Sequence, residues 1–304
     1  MSETVFQRLA IVGIGLIGAS VALAARQANA VREIVVCDAD ADALARAEAL
    51  GLADAYESDV AKAVEGADAV MLAMPVGATG TVCAAMADAL APGTVVTDVG
   101  SVKRAVIGMA RASLPTHADL VPAHPLAGTE KSGPEAGFAS LFANRWTVVT
   151  PVEESTPAGV AKVVALWERM GANVETMEAD HHDRVLAVVS HLPHLIAYNI
   201  VGTASDLEEV TEQEVIKFSA SGFRDFTRIA ASDPTMWRDV FLHNREAVLE
   251  MLGRFSEDLA RLQRAVRWGD GALLHEHFTR TRAIRRGIVE QGQDTDAANF
   301  GRDG

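Results

Sequence analysis

Residues 9–12 form a short apolar run, Leu9-Ala10-Ile11-Val12, followed at once by glycines and then by small and aliphatic residues over 20–30. Such a run, bounded by turn residues, predicts a strand buried on both faces, with a helix packed behind it. The pattern recurs down the first half of the chain. Residues 33–37, 68–75, 94–99, 120–123 and 146–151 read as further strands, the second of these ending in a proline loop at Pro75, with a last segment around Val174. Helices are expected over 40–50, from Pro75 to Ala91, and after Lys103. Strands alternating with helices imply a mostly parallel, doubly wound sheet. From Asp180 the pattern changes to helical spacing over 183–204, 234–268 and 271–291, without further strands. Asp233-Pro234 has the form of a helix start, with Asp as N-cap and Pro in the first turn. The chain therefore divides into an α/β half, 1–179, and an all-helical half, 180–304, with a polar, frayed end over 292–304.

The glycines after the first strand, Gly13, Gly15 and Gly18, have the G-x-G-x-x-G spacing, with Leu16 and Ile17 at the head of the helix. The first permits a tight turn, the second lets backbone approach a pyrophosphate, and the third lets helix and strand pack closely. The helix start then offers N–H groups and a positive dipole end to phosphate. The second strand ends in Asp38, at the spacing of a carboxylate that binds an adenosine ribose. Asp40 and Asp42 follow, with no Arg to receive a 2′-phosphate, so NAD is expected rather than NADP. The α/β half thus reads as a Rossmann-type domain whose cofactor residues are Gly13, Gly15, Leu16, Ile17, Gly18 and Asp38.

Composition narrows the function. The 304 residues are 49% hydrophobic and 22% charged, ordinary for a globular protein, and no apolar run looks long enough to span a bilayer. The N-terminus lacks a secretory pattern, which makes the cytoplasm the expected location. A formal net charge of −14 argues against nucleic acid and leaves a small anionic substrate dependent on a few local cations. Cys37 and Cys83 are the only cysteines, too few for a disulfide framework or a cysteine metal cluster. His181-His182 and His275-Glu276-His277 are badly spaced for ligands on one helical face, so they read as solvated helix surface and no metal is expected.

In open parallel sheets, ligands bind beyond the carboxyl ends of the strands, where Ser101 and His124 fall. The helical half offers Ser190-His191-Leu192-Pro193-His194 and Gly222-Phe223-Arg224-Asp225-Phe226-Thr227-Arg228. Together with Asp98-Val99-Gly100-Ser101-Val102-Lys103, the stretch His124-Pro125-Leu126-Ala127-Gly128-Thr129-Glu130-Lys131-Ser132-Gly133 and Asp233-Pro234-Thr235-Met236-Trp237, these resemble the prephenate/arogenate (cyclohexadienyl) dehydrogenase family of tyrosine biosynthesis, in family order from Ile11 to about Asn244. The resemblance implies NAD-dependent oxidative decarboxylation of prephenate or arogenate to 4-hydroxyphenylpyruvate or tyrosine. It implies His124 as hydrogen-bond acceptor and base for the 4-hydroxyl, with Ser101 holding the same hydroxyl. Arg224 would bind the ring carboxylate, His191 would lie near the substrate side chain, and Glu130 would gate or orient the site. It also implies a homodimer formed through the helical domains.

Each role has a plainer rival. His124 satisfies backbone groups in a turn, Ser101 caps the following helix, and Arg224 pairs with Asp225 at the surface. Arg228 is preferred as structural, His194 caps or packs, and Lys103 and Lys131 lend local positive field. Trp237 and Phe241, one turn apart, serve a site wall or interface, or are ordinary core. The nearest competing activity is a 3-hydroxyacid dehydrogenase or imine reductase of similar build. The hydroxyacid enzymes use a Lys in the first helix of the second domain, and residues 183–204 contain none. A non-catalytic NAD sensor would need the fingerprint but not Ser101, His124, His191 and Arg224 together. No chorismate mutase segment or regulatory domain flanks the two halves, so tyrosine feedback, if present, is expected within them.

Overall fold

The computed structural model describes residues 4–206 and 220–290. The chain divides into two compact units, 1–248 and 249–304. The frayed end expected over 292–304 lies outside the described residues.

The larger unit begins with β1 (Phe6–Val12), α1 (Leu16–Gln27), β2 (Val31–Cys37), α2 (Ala41–Ala49), β3 (Ala55–Glu57), α3 (Val60–Val64) and β4 (Ala69–Leu72). It continues through α4 (Thr79–Met86), β5 (Val95–Asp98), α5 (Lys103–Ser113) and β6 (Asp119–Leu120). These six strands form one sheet in the order β3-β2-β1-β4-β5-β6, and every pairing is parallel. Alternation along β1 explains why its run is wholly apolar. Leu9 and Ile11 enter one core layer while Ala10 and Val12 enter the other, so both faces of the sheet are covered. The first layer includes Phe142 and Trp167, packed edge to face at 5.1 Å.

The expected strand over 120–123 is two strands. Leu120 ends β6, and β7 (Ala123–Pro125) begins a second sheet with β8 (Trp146–Val149) and β9 (Asn173–Thr176), in the order β7-β8-β9. Strand β7 runs antiparallel to β8, and β8 runs parallel to β9. Pro122, which has no N–H for a ladder, stands at the changeover. His124 therefore lies inside a strand of the second sheet, not in a loop after the first.

Helix α6 (Pro157–Arg169) connects β8 to β9 and sends Val163, Leu166 and Trp167 into the first core layer. The helical part comprises α7 (Ala179–Leu186), a π-helical turn at Ala187–His191, α8 (Leu192–Ser205), α9 (Ser221–Thr227), α10 (Pro234–His243), α11 (Arg245–Trp268) and α12 (Gly271–Glu290). As expected, Asp233 caps α10, its side chain accepting from the Met236 amide at 2.7 Å. Two expected helices are interrupted. The 234–268 helix breaks at Asn244, and the 183–204 helix starts at Ala179 and widens before Pro193, whose ring denies the preceding turn a regular hydrogen bond. Contrary to the sequence expectation, the helical run Ala179–Ser205 is long and apolar enough to cross a membrane by length and composition. Its polar side chains His182, Asp183 and His191 are buried, while Val188, Val189, Ile200 and Val201 are exposed. In the smaller unit, the described part of α11 and α12 exposes Leu259, Val266, Trp268, Phe278 and Ile284.

Candidate active site

The glycine loop shows which of its glycines the fold itself requires. Gly13 has φ +98°, and a Cβ there would meet the Ala73 carbonyl oxygen at 2.6 Å. A Cβ on Gly18 would collide with the Gly13 carbonyl. Gly15 differs: its φ is −72° and a Cβ would meet nothing within 4 Å. Protein packing does not demand glycine at 15, which leaves the close approach of a ligand as its physical reason. Gly15 also heads α1 without a side-chain cap, so Leu16 and Ile17 begin a helix start available to an anion. At the end of β2 the Asp38 carboxylate accepts from the Ile14 amide at 2.8 Å and the Asp40 amide at 2.9 Å, fixing it beside the loop. Asp40 in turn caps α2. This donor and acceptor set fits a dinucleotide, with Asp38 placed for a ribose.

At the other end a buried ion pair ties two loops together. Asp98, the last residue of β5, accepts from the Gly100 amide at 2.8 Å, the Ala123 amide at 3.1 Å and the Lys103 ammonium. Lys103 is fully buried and also donates to the Ala123 carbonyl. The pair thus fixes the segment carrying Ser101 against the strand carrying His124. Burial lowers the Lys103 pKa, and the Asp98 charge opposes that shift. Lys103 is a structural contact as well as a source of field.

His124 is buried, and its Nδ1 lies 2.9 Å from His182 Nε2. His182 Nδ1 lies 2.8 Å from Asp183 Oδ1. His182 is fully buried, which corrects its reading as solvated surface; its neighbour His181 is exposed. The two adjacent histidines do point different ways, but one of those ways is inward. His182 and Leu186 are both buried, one helical turn apart, so the missed signal was that His182 belongs to the apolar stripe. Asp183 also accepts from the Lys103 amide at 2.7 Å and the Arg104 amide at 3.0 Å, capping α5 from a different helix. Val102, not Ser101, is the N-cap residue of α5, and it has no side-chain cap bond. Ser101 is therefore relieved of the capping role considered above.

His191 is fully buried, and its Nδ1 lies 3.0 Å from the Asn244 amide nitrogen, which also donates to the Asp183 carbonyl at 2.8 Å. His191 Nε2 has no partner with good hydrogen-bond geometry, though the Ser101 backbone lies near enough to favour its protonated form. His194 stacks on Trp237 at 3.6 Å and bonds the Ser190 carbonyl through Nδ1. Trp237 is buried, its indole N–H is unpartnered, and it packs with Val102, Val240, Tyr198 and Phe241. It is a wall beside both histidines. The Trp237 indole N–H, buried and unpartnered, is the kind of polar group a bound molecule satisfies.

The field around His124 keeps it neutral. Burial, then the neighbouring His182, Lys103 and His191, push its pKa well below the ordinary value. Burial likewise lowers His191, to about 4, against the pull of Asp183. For Asp183, burial pushes upward, but bonds from His182 and from the Lys103 and Arg104 amides outweigh it and hold the carboxyl low.

Glu130 accepts from Arg228 Nη1 at 2.8 Å; the His194 pKa is lowered by burial, to which the Arg228 charge adds. Arg224 is on α9 with its side chain 73% exposed, 3.6 Å from Asp225. The structure thus brings His124, the Ser101 segment and His191 together, and it pairs Glu130 with Arg228, not with Arg224.

A parallel sheet ordered 3-2-1-4-5-6, a G-x-G-x-x-G loop between β1 and α1, an Asp38 carboxylate fixed beside that loop and a buried imidazole are the features of an NAD-dependent dehydrogenase of Rossmann type. A family profile described as "Prephenate dehydrogenase, nucleotide-binding domain" matches residues 21–176, and one described as "Prephenate dehydrogenase, dimerization domain" matches 178–280. The chain belongs to the prephenate dehydrogenase family. It is 43% identical over 282 residues to a cyclohexadienyl dehydrogenase of Zymomonas mobilis, covering 93% of this chain and 96% of that one. It is 32% identical over 277 residues to a prephenate dehydrogenase of Bacillus subtilis, covering 91% and 74%. In three dimensions it is similar to the prephenate dehydrogenase of Aquifex aeolicus solved with hydroxyphenyl propionate and NAD+, with TM-score 0.85, 34% identity, and coverage of 95% and 99%.

Proposed function

We propose that this enzyme catalyses the NAD-dependent oxidative decarboxylation of prephenate, arogenate or both, giving 4-hydroxyphenylpyruvate or tyrosine. The observation that carries the reading is the buried, neutral His124 beside the Ser101 segment, within an NAD-binding fold. Gly13, Gly15, Leu16, Ile17, Gly18 and Asp38 hold the cofactor. When bound, NAD supplies the acceptor for the hydride lost from the ring carbon bearing the 4-hydroxyl.

The chain's own groups handle the proton and the anions. His124 accepts a hydrogen bond from the 4-hydroxyl and draws its proton as the carbon–oxygen bond gains carbonyl character. The bond to the ring carboxylate then breaks, carbon dioxide leaves, and the electron pair completes the aromatic ring. The phenolic oxygen recovers its proton from His124, so no proton is consumed overall. Ser101 holds the same hydroxyl, and His191 lies near the substrate side chain.

Two arginines compete for the ring carboxylate. The resemblance pointed to Arg224, but the pairing of Arg228 with Glu130 beside His194 favours Arg228, with Glu130 orienting it. A planar two-point donor suits a carboxylate. We assign residues 1–179 to cofactor binding and 180–304 to substrate binding and homodimer formation, in the cytoplasm. Steady-state reduction of NAD with prephenate and with arogenate, with NADP as control, tests the reading. Turnover of neither by folded, NAD-binding protein would overturn it.

A further inference from the structure

We propose that His182 and Asp183 are positioning residues that lock His124 in the one neutral tautomer able to act as a base. The proposal rests on the proposed oxidation, and it concerns how the base is prepared. The chain of contacts runs Asp183 Oδ1 to His182 Nδ1 at 2.8 Å, then His182 Nε2 to His124 Nδ1 at 2.9 Å. Its polarity follows from its far end. Asp183 receives two backbone amides at the start of α5, from Lys103 and Arg104, which favours its charged form. A carboxylate only accepts, so His182 Nδ1 carries the hydrogen. In a neutral His182 ring Nε2 is then a bare acceptor, so the hydrogen between the two rings belongs to His124 Nδ1. The remaining nitrogen, His124 Nε2, is left with its lone pair, as the reaction requires.

The arrangement also shares out the charge that forms during turnover. When His124 takes the substrate proton at Nε2, both of its ring nitrogens carry hydrogen, and Nδ1 still donates to His182 Nε2. The new positive charge faces that lone pair, with the Asp183 carboxylate behind it, and the proton returns to the product oxygen by the same Nε2. The other groups acting on His124 are Lys103, which opposes protonation and is itself paired with Asp98, and His191, which is held neutral by burial. Asp183 is tied to α5, the helix that follows Ser101. One carboxylate therefore sets the base and anchors the segment carrying the second hydroxyl-binding group.

The test combines ring-nitrogen NMR with kinetics. In full-length protein with 15N-labelled histidine, the His124 signals, assigned with His124→Asn, are expected to show Nδ1 protonated and Nε2 bare at neutral pH. His182→Leu removes the acceptor and should abolish that preference, whereas His182→Gln supplies an amide oxygen and should restore it. Expected kinetics are a fall in kcat of about 100-fold in His182→Leu, with KM and NAD affinity within about threefold, and substantial recovery in His182→Gln. The acidic limb of the kcat–pH profile should move in His182→Leu and return in His182→Gln. A wild-type His124 protonated at Nε2 overturns the proposal, and that spectrum does not depend on whether any His182 variant folds. So does a His182→Leu enzyme with unchanged tautomer and kcat, or one in which NAD affinity falls in step with kcat. If the wild type turns over neither substrate, the functional reading fails, while the nitrogen spectra still decide the tautomer.

Discussion

Replacing Lys103 with Met keeps the length of the side chain and removes its charge. It leaves the Asp98 carboxylate buried with only the Gly100 and Ala123 amides for partners, and it strips the Ala123 carbonyl of a donor. Both members of the pair are almost wholly buried, so solvent offers little compensation. Breaking such a pair from one side costs about 3–5 kcal/mol. For a chain of this size that corresponds to a fall in Tm of about 10 °C. Differential scanning calorimetry checks the fall, and kcat should drop with it, because the pair sets the spacing between Ser101 and His124. Adding Asp98→Asn to Lys103→Met should recover part of the stability, since the stranded charge is then gone. A Lys103→Met protein that melts within about 2 °C of wild type would refute the reasoning, because a stranded buried carboxylate cannot cost so little.

Three further outcomes are expected. Gly15→Ala should weaken NAD binding by at least about tenfold with Tm unchanged, since the new methyl meets no protein atom but stands where pyrophosphate approaches; calorimetric titration with NAD reads this directly. Arg228→Lys should lower kcat/KM at least about tenfold more than Arg224→Lys, because only the former disrupts the fork held by Glu130; equal losses in the two variants would remove Arg228 from the site. The folded state should also lose stability as pH falls from 7 to 4. The His191 pKa is about 4 when folded and ordinary when unfolded, so the unfolded chain binds the extra proton, and the cost at pH 4 is about 3 kcal/mol. Urea unfolding of His191→Asn should show a correspondingly shallower slope over that range.

The sheet and the glycine loop are legible because their signals are local. An apolar run, three glycines and an acid at the next strand end lie close together in sequence, and each acts on its immediate neighbours. What escaped depended on distant partners. Strand β3 is three partly buried residues, Ala55–Glu57, held by pairing with β2, not by any pattern of its own. The division of residues 120–123 follows from which neighbour each half pairs with, Leu120 with Val96 and Ala123 with Val149. His124 and Ser101 are visible as candidates, but His182 reads as surface because its role is set by a histidine far away in sequence. The same holds for Asp183, whose caps are on α5, and for Asn244, whose single amide reaches both His191 and the Asp183 carbonyl. Arg224 and Arg228 share a helical spacing, and only the position of Glu130 separates them.

The π-helical turn at Ala187–His191 changes how its stretch of sequence must be phased. In a regular helix His182 and His191, nine residues apart, would stand about half a turn from each other, on opposite faces. Both are fully buried, and both lie on the Asp183–Asn244 contact. The wide turn absorbs about one residue of rotation, which reduces the angle between them to about 80°. The 27 residues Ala179–Ser205 are thus two helical frames offset by one position. Read in a single frame, one histidine falls toward solvent; read in two, both face inward.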